Sequence, residues 1–214
     1  MPAIVAEGLR REFDGNVALD GLSLEIPTGA VCALVGPNGA GKTTFLRLVA
    51  ALLEPTSGGA RVFGRDIRSE ARQVHASLGF LPDFFGLYEE LSAADCLRYF
   101  ARAYKLPETR VESRVEEVLE LVQLGKHGGD SIPSLSRGMR QRLGMARTLL
   151  HDPALLLLDE PASGLDPAAR HELQRLLRAL AAAGKTIVVS SHILTELEEY
   201  CSHVVMLEGG KLVF

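Results

Sequence analysis

Apolar runs alternating with helical stretches predict an α/β fold, with a mainly parallel sheet flanked by helices and a helical subdomain inserted in its middle. Two observations carry this expectation. Ala30–Val35, Ala154–Leu158 and Thr186–Val189 are continuous apolar runs, the pattern of strands buried on both faces. Between the first run and the second, Val111, Val115, Val118, Leu119 and Val122 recur at the spacing of one helix face.

Taken in order, the first thirty residues read as short strands. Leu22–Ile26 alternates, and Asp14-Gly15 and Asp20-Gly21 are turn signals. Ala30–Val35 leads into a Gly-rich loop, and a helix is expected from about Lys42 to Leu53. Arg61–Gly64 suggests a further strand before a polar stretch. From about Ser92 to Leu124 the pattern is helical, with Pro107 separating two helices. Asp166-Pro167 supplies an N-cap and a first-turn proline for a helix bearing Leu173, Leu176, Leu177 and Leu180, which stops near Gly184. Strands at Thr186–Val189 and Val204–Leu207 follow. The expectation is one domain over residues 1–214, with the helical subdomain at about 84–150.

A chain of 214 residues that is 47% hydrophobic can bury a substantial core without disulfides. Cys32, Cys96 and Cys201 are scattered and form no CxxC pair, as expected of thiols in a reducing compartment. The N-terminal MPAIVAEGLRREF lacks an apolar core of leader length, and no apolar stretch is long enough to cross a bilayer. These features predict a cytoplasmic protein. A net charge of −4 gives no general attraction to nucleic acid, and no nucleic-acid partner is expected.

The segment GPNGAGKTT satisfies G-x-x-x-x-G-K-[ST] between a buried strand and a helix. Its residues Gly36, Pro37, Asn38, Gly39, Ala40, Gly41, Lys42, Thr43 and Thr44 form a candidate nucleotide-binding loop. Glycines let backbone N–H groups wrap a polyphosphate, and the helix that follows aims its positive end at it. Lys42 can reach the β- and γ-phosphates, and the Thr43 hydroxyl can ligate Mg²⁺. By itself the motif does not separate ATP from GTP, or a kinase from a transporter.

Leu155–Leu158 ends in Asp159-Glu160, two acids where ligands gather in open α/β sheets. Asp159 is placed to hold Mg²⁺, and Glu160 to act as base or orienter for an attacking water. His192 ends the next apolar strand, where it could face the γ-phosphate or the water, or simply be a surface residue.

Leu135-Ser136-Arg137-Gly138-Met139-Arg140-Gln141-Arg142 resembles the signature motif of ABC ATPases, usually LSGGQ followed by basic and polar residues. GPNGAGKTT, LLLLDEP, the loop Ser163-Gly164-Leu165-Asp166 and His192 complete five motifs in the order of that family, and the resemblance covers nearly the whole chain. It implies a P-loop NTPase fold with a small antiparallel β subdomain, MgATP as the bound nucleotide, and ATP hydrolysis. It also implies head-to-tail pairing of two ATPase subunits, identical or different. Ser136 and Gly138 of one copy would then face the γ-phosphate held by the other, and Asp166 would couple the two sites. Phe13 resembles the aromatic that stacks on adenine; a place in a hairpin core explains it as well.

Two positions depart from the family pattern. Asp83 stands where members commonly carry Gln, and is expected to keep a metal-sensing role although it cannot donate a hydrogen bond. Arg137 replaces the first signature glycine, at a conformational cost if the backbone there has positive φ. Both departures, with Met139-Arg140, are similar to ATPase subunits of drug, antibiotic and polysaccharide exporters, which are encoded apart from their membrane partner. That implies an integral membrane permease as partner, placement on the inner face of the membrane, and coupling helices docking on residues 84–124. Such subunits often continue beyond the point matched by Leu212-Val213-Phe214, so a longer native C-terminus is expected. The alternative is a non-transport ABC ATPase of DNA repair or the ribosome, but those usually carry coiled-coil insertions or a second ATPase domain.

Overall fold

The computed structural model describes residues 1–193 and 200–214. The chain divides into two units. The first comprises residues 1–83, 154–161 and 178–214; the second comprises 84–153 and 162–177.

In the first unit, β1 (Pro2–Phe13) and β2 (Asn16–Pro27) form a hairpin. Asp14 and Gly15 both have positive φ, as a two-residue turn matching strand twist requires. The second expected turn is not one: β2 runs through Asp20-Gly21, and Gly21 sits at a register shift, bending the strand as a bulge. β4 (Ser57–Val62) pairs with β1, and β5 (Arg65–Asp66) folds back on β4, giving an antiparallel sheet ordered β2-β1-β4-β5.

The second sheet has the order β10-β9-β3-β8-β7-β6, from β3 (Val31–Val35), β6 (Leu78–Leu81), β7 (Leu155–Leu158), β8 (Thr186–Ser191), β9 (His203–Glu208) and β10 (Lys211–Leu212). All neighbours are parallel except β9 and β10. Every residue of β3, β7 and β8 is buried, which is why β3 and β7 read as unbroken apolar runs and β8 carries the apolar stretch Ile187–Val189. Residues of both sheets share one apolar core with Phe45, Leu46, Leu48 and Val49 of α1 (Lys42–Val49).

One local expectation is corrected, and two elements appear that the sequence did not predict. The first helix stops at Val49, because Ala51 turns into positive φ (53°) and leaves Leu52 exposed. Residues 71–77 form a short helix, α2 (Ala71–Ser77), with Val74 as its buried residue. Leu78–Leu81 is strand β6, paired in parallel with β7.

The second unit contains α3 (Ala93–Ala103), α4 (Glu108–Leu121), α5 (Arg137–Leu149) and the start of α6 (Pro167–Ala182). Val111, Val115, Val118, Leu119 and Val122 are all buried, as their spacing predicts. Arg114, on the same helix, donates to the Leu149 and Leu150 carbonyls at 2.5 and 2.9 Å, a cation satisfying the end of α5. Among the described residues no helix is long and apolar enough to cross a membrane.

Candidate functional site

The strand order places β3, β8 and β7 side by side, so their C-terminal ends converge. Val35 lies beside Ser191, and Leu158 beside Val189. The loop after β3, the acids after β7 and the polar end of β8 therefore share one edge of the sheet.

The loop's shape depends on glycine at two places. A Cβ on Gly36 would overlap the Leu207 carbonyl, and one on Gly41 (φ 102°) would meet the Ala18 carbonyl at 2.6 Å. Gly41 caps α1, whose first intrahelical bond runs from the Phe45 N–H to the Gly41 carbonyl. The amides of Lys42, Thr43 and Thr44 thus belong to the first turn, where helix N–H groups lack helical acceptors and favour an anion. A cleft of about 410 Å³ runs along this loop, lined by Asn38–Thr44, Phe13, Ala18, Asp83 and Glu160.

Below the loop stands a chain of hydrogen bonds. Thr43 Oγ1 donates to Asp159 Oδ2 at 2.8 Å, and Ser190 Oγ donates to Asp159 Oδ1 at 2.6 Å. Asp159 is 1% exposed, so its charge is held by partners rather than by water. Glu160 has φ 46°, a sparsely populated conformation for a non-glycine residue, and its N–H donates to Ser190 Oγ at 2.8 Å. One carboxylate oxygen of Glu160 lies 3.4 Å from Lys42 Nζ, and the other 3.0 Å from His192 Nδ1. Lys42, itself buried, also donates to the Gly36 and Pro37 carbonyls at 2.6 and 3.3 Å.

The first unit therefore brings together the loop Gly36–Thr44, Asp159, Glu160 and His192, with Phe13 and Asp83 on the cleft wall. Phe13 is 38% exposed with the Arg11 guanidinium 4.3 Å from its ring centre, so it is not a hairpin core residue. Ser136, Gly138 and Asp166 belong to the second unit. Ser136 caps α5, its Oγ accepting the Met139 N–H at 3.2 Å, which leaves its own O–H to donate. Asp166 caps α6 through the Ala169 N–H at 2.9 Å.

The concern over Arg137 is corrected. It is the first residue of α5, neither it nor Gly138 has positive φ, and arginine costs no backbone strain there. Ser190 went unnoticed in the sequence. The signal is a serine that ends the apolar run Ile187–Val189, but its meaning requires the register that brings it to Asp159.

As a test of fit for Mg²⁺, the Thr43 hydroxyl and Asp159 carboxylate form a hard oxygen pair beside the phosphate loop. Among the described residues no cluster of three His, Cys, Asp or Glu side chains stands ready to cage a metal. That suits an ion held by one or two protein oxygens and completed by phosphate oxygens and water.

A phosphate loop feeding a helix at the edge of a parallel sheet, with a buried acid on the loop threonine, defines a P-loop nucleoside triphosphatase. The ABC transporter family model matches residues 19–163. The chain is 38% identical to the Nod factor export ATP-binding protein I of Cupriavidus metallidurans over 96% of its own length and 68% of that protein's. It is 36% identical to the protein of the same name from Ralstonia nicotianae, over 99% and 66%. The chain thus spans about two thirds of the length of these relatives. Among solved structures, an ATP-binding subunit of an ABC transporter superimposes with TM-score 0.87 at 30% identity, covering 98% of this chain and 88% of that one. The Clostridium perfringens protein cbiO1, described as part of the ABC transporter complex cbiONQ, does so with TM-score 0.90 at 29% identity, over 100% and 87%. The chain belongs to the ABC transporter family, as an ATP-binding domain of the kind whose members hydrolyse ATP.

Proposed function

We propose that this chain is the ATP-hydrolysing subunit of an exporter, working at the inner face of a membrane with a separate permease. The observation that carries the reading is the linked set Thr43–Asp159–Ser190–Glu160–Lys42, which joins a phosphate-binding loop to an oriented carboxylate. Backbone amides of the loop and the start of α1 bind the phosphates, and the Lys42 ammonium adds charge where the γ-phosphate would lie. Mg²⁺, when bound, supplies charge neutralisation on the β- and γ-phosphate oxygens, and Thr43, Asp159 and Asp83 are the residues to hold it directly or through water. Glu160 takes a proton from the attacking water, its carboxylate aimed by Lys42 and His192. Phe13 stacks on the adenine, worth about 1–3 kcal/mol by analogy with base–aromatic contacts.

The same reading places a second ATPase copy, identical or not, head to tail with this one. Its Ser136 hydroxyl and Gly138 amide would close on the γ-phosphate at the positive end of α5. Asp166 would carry the state of one site to the other. ATP binding closes the pair, and hydrolysis reopens it. The export role named for the relatives and the motif departures at Asp83 and Arg137 favour an exporter, with the helical segment 84–124 as the permease's docking face.

The test is affinity capture of the tagged chain from detergent-solubilised native membranes, with and without MgATP. Co-purification of a polytopic membrane protein is the expected result. Recovery of soluble partners or nucleic acid alone would rule out the transport role while leaving ATP hydrolysis in place.

A further inference from the structure

Arg137 departs from the family's usual glycine, and its contacts give that departure a use. Its Nη2 donates to the Ser163 carbonyl at 3.3 Å. Its guanidinium also covers Gly164 so closely that a Cβ there would overlap it, and the three atoms nearest such a Cβ all belong to Arg137. Gly164 has φ 66°, so the loop turns under the guanidinium at a residue that glycine suits. The rest of the loop is held by the Leu165 N–H bonding the Ala162 carbonyl at 3.2 Å and by Arg170 reaching the Leu165 carbonyl at 3.4 Å. It ends at Asp166, the cap of α6, while Arg137 directly follows Ser136, the cap of α5.

We infer that Arg137 is a positioning residue that ties the signature segment to the Ser163–Asp166 loop, so that Ser136 and Asp166 are set as one piece. The inference rests on the proposed function, in which both caps act across a pair of ATPase subunits. It names no new catalytic group, since Arg137 acts through the loop. A planar guanidinium can lie flat on the Gly164 peptide while donating to Ser163; a lysine could donate but has no flat face, and a glycine does neither.

The experiment compares the full chain with Arg137→Lys, Arg137→Gly and Gly164→Ala, using amide hydrogen exchange without nucleotide and turnover against ATP concentration. Arg137→Gly is expected to speed exchange several-fold at Ser163–Asp166 while leaving α3 and α4 unchanged. Its kcat should fall by about tenfold or more, with KM held within about twofold. Arg137→Lys should recover part of both effects. Gly164→Ala should reproduce the loss in the parent and add little when combined with Arg137→Gly. Unchanged exchange at Ser163–Asp166 would overturn the contact's role, and faster exchange with unchanged kcat would reduce it to packing. A parent chain unable to hydrolyse ATP would sink the proposed function and the positioning role together. The exchange data, which need no ATP, distinguish that failure from failure of the contact.

Discussion

The hydroxyl of Ser190 donates a 2.6 Å hydrogen bond to Asp159 Oδ1, in a position where it also accepts the Glu160 N–H at 2.8 Å. One buried side chain thus holds the carboxylate that bonds Thr43 and the backbone of the residue that faces Lys42 and His192. Glu160 keeps its left-handed backbone because this bond offsets part of the strain, which costs on the order of 1–3 kcal/mol.

Ser190→Ala removes both bonds and leaves Asp159 with Thr43. A hydrogen bond to a buried charge contributes about 1.5–3 kcal/mol, so unfolding by urea should show a loss of that size. Turnover should fall by at least about tenfold, because Glu160 is no longer held in place. An alanine variant with parental stability and turnover would show that the bond is incidental.

Gly138→Ala separates folding from function. An added Cβ would sit 3.5 Å from Ala169 Cβ, an ordinary contact, within a helix that favours alanine over glycine by about 1 kcal/mol. Thermal unfolding should show equal or higher stability, and ATP binding by the isolated chain should persist. If a partner's γ-phosphate packs against Gly138, the added Cβ obstructs its approach to the amide and turnover should drop sharply. A variant that is stable and fully active would remove Gly138 from the site.

The central strand makes a pH prediction. Burial pushes the Cys32 thiol up to about 12, helped by the nearby Cys201, and burial pushes Cys201 to about 12 as well. An acid whose folded pKa is raised stays protonated while the unfolded chain loses its proton, so the unfolded state gains as pH rises. The contribution is nil below the ordinary value near 9, and stability falls between about 9 and 12. The Cys32→Ala, Cys201→Ala double variant should lose stability less steeply over that window, measured by urea unfolding at each pH. Parallel slopes for parent and variant would contradict this.

The sheet was legible where burial on both faces wrote an apolar run, as in β3, β7 and the Ile187–Val189 stretch of β8. It was illegible where packing, not pattern, decides. β6 is four residues with Gly79 inside and gains its strand character from pairing with β7. α2 buries Val74 within a polar stretch, and no helical period is visible from that. Ala50-Ala51-Leu52-Leu53, just past α1, reads as more helix, and Ala51's positive φ stops it. In the candidate site, Lys42, Thr43, Asp159 and Glu160 could be picked out because their chemistry needs fixed spacing along the chain. Ser190 and the Arg137–Gly164 contact could not, since each depends on segments brought together by folding.

The most direct test of the account is ATP hydrolysis by the parent chain beside Glu160→Gln, with binding of a fluorescent ATP analogue measured in both. Glutamine keeps the N–H that bonds Ser190 but cannot take the proton of the attacking water. Turnover is predicted to fall by a factor of about 10²–10⁴ with analogue affinity retained. A Glu160→Gln variant that hydrolyses ATP as fast as the parent would contradict the assignment of this acid pair as the centre of the chemistry.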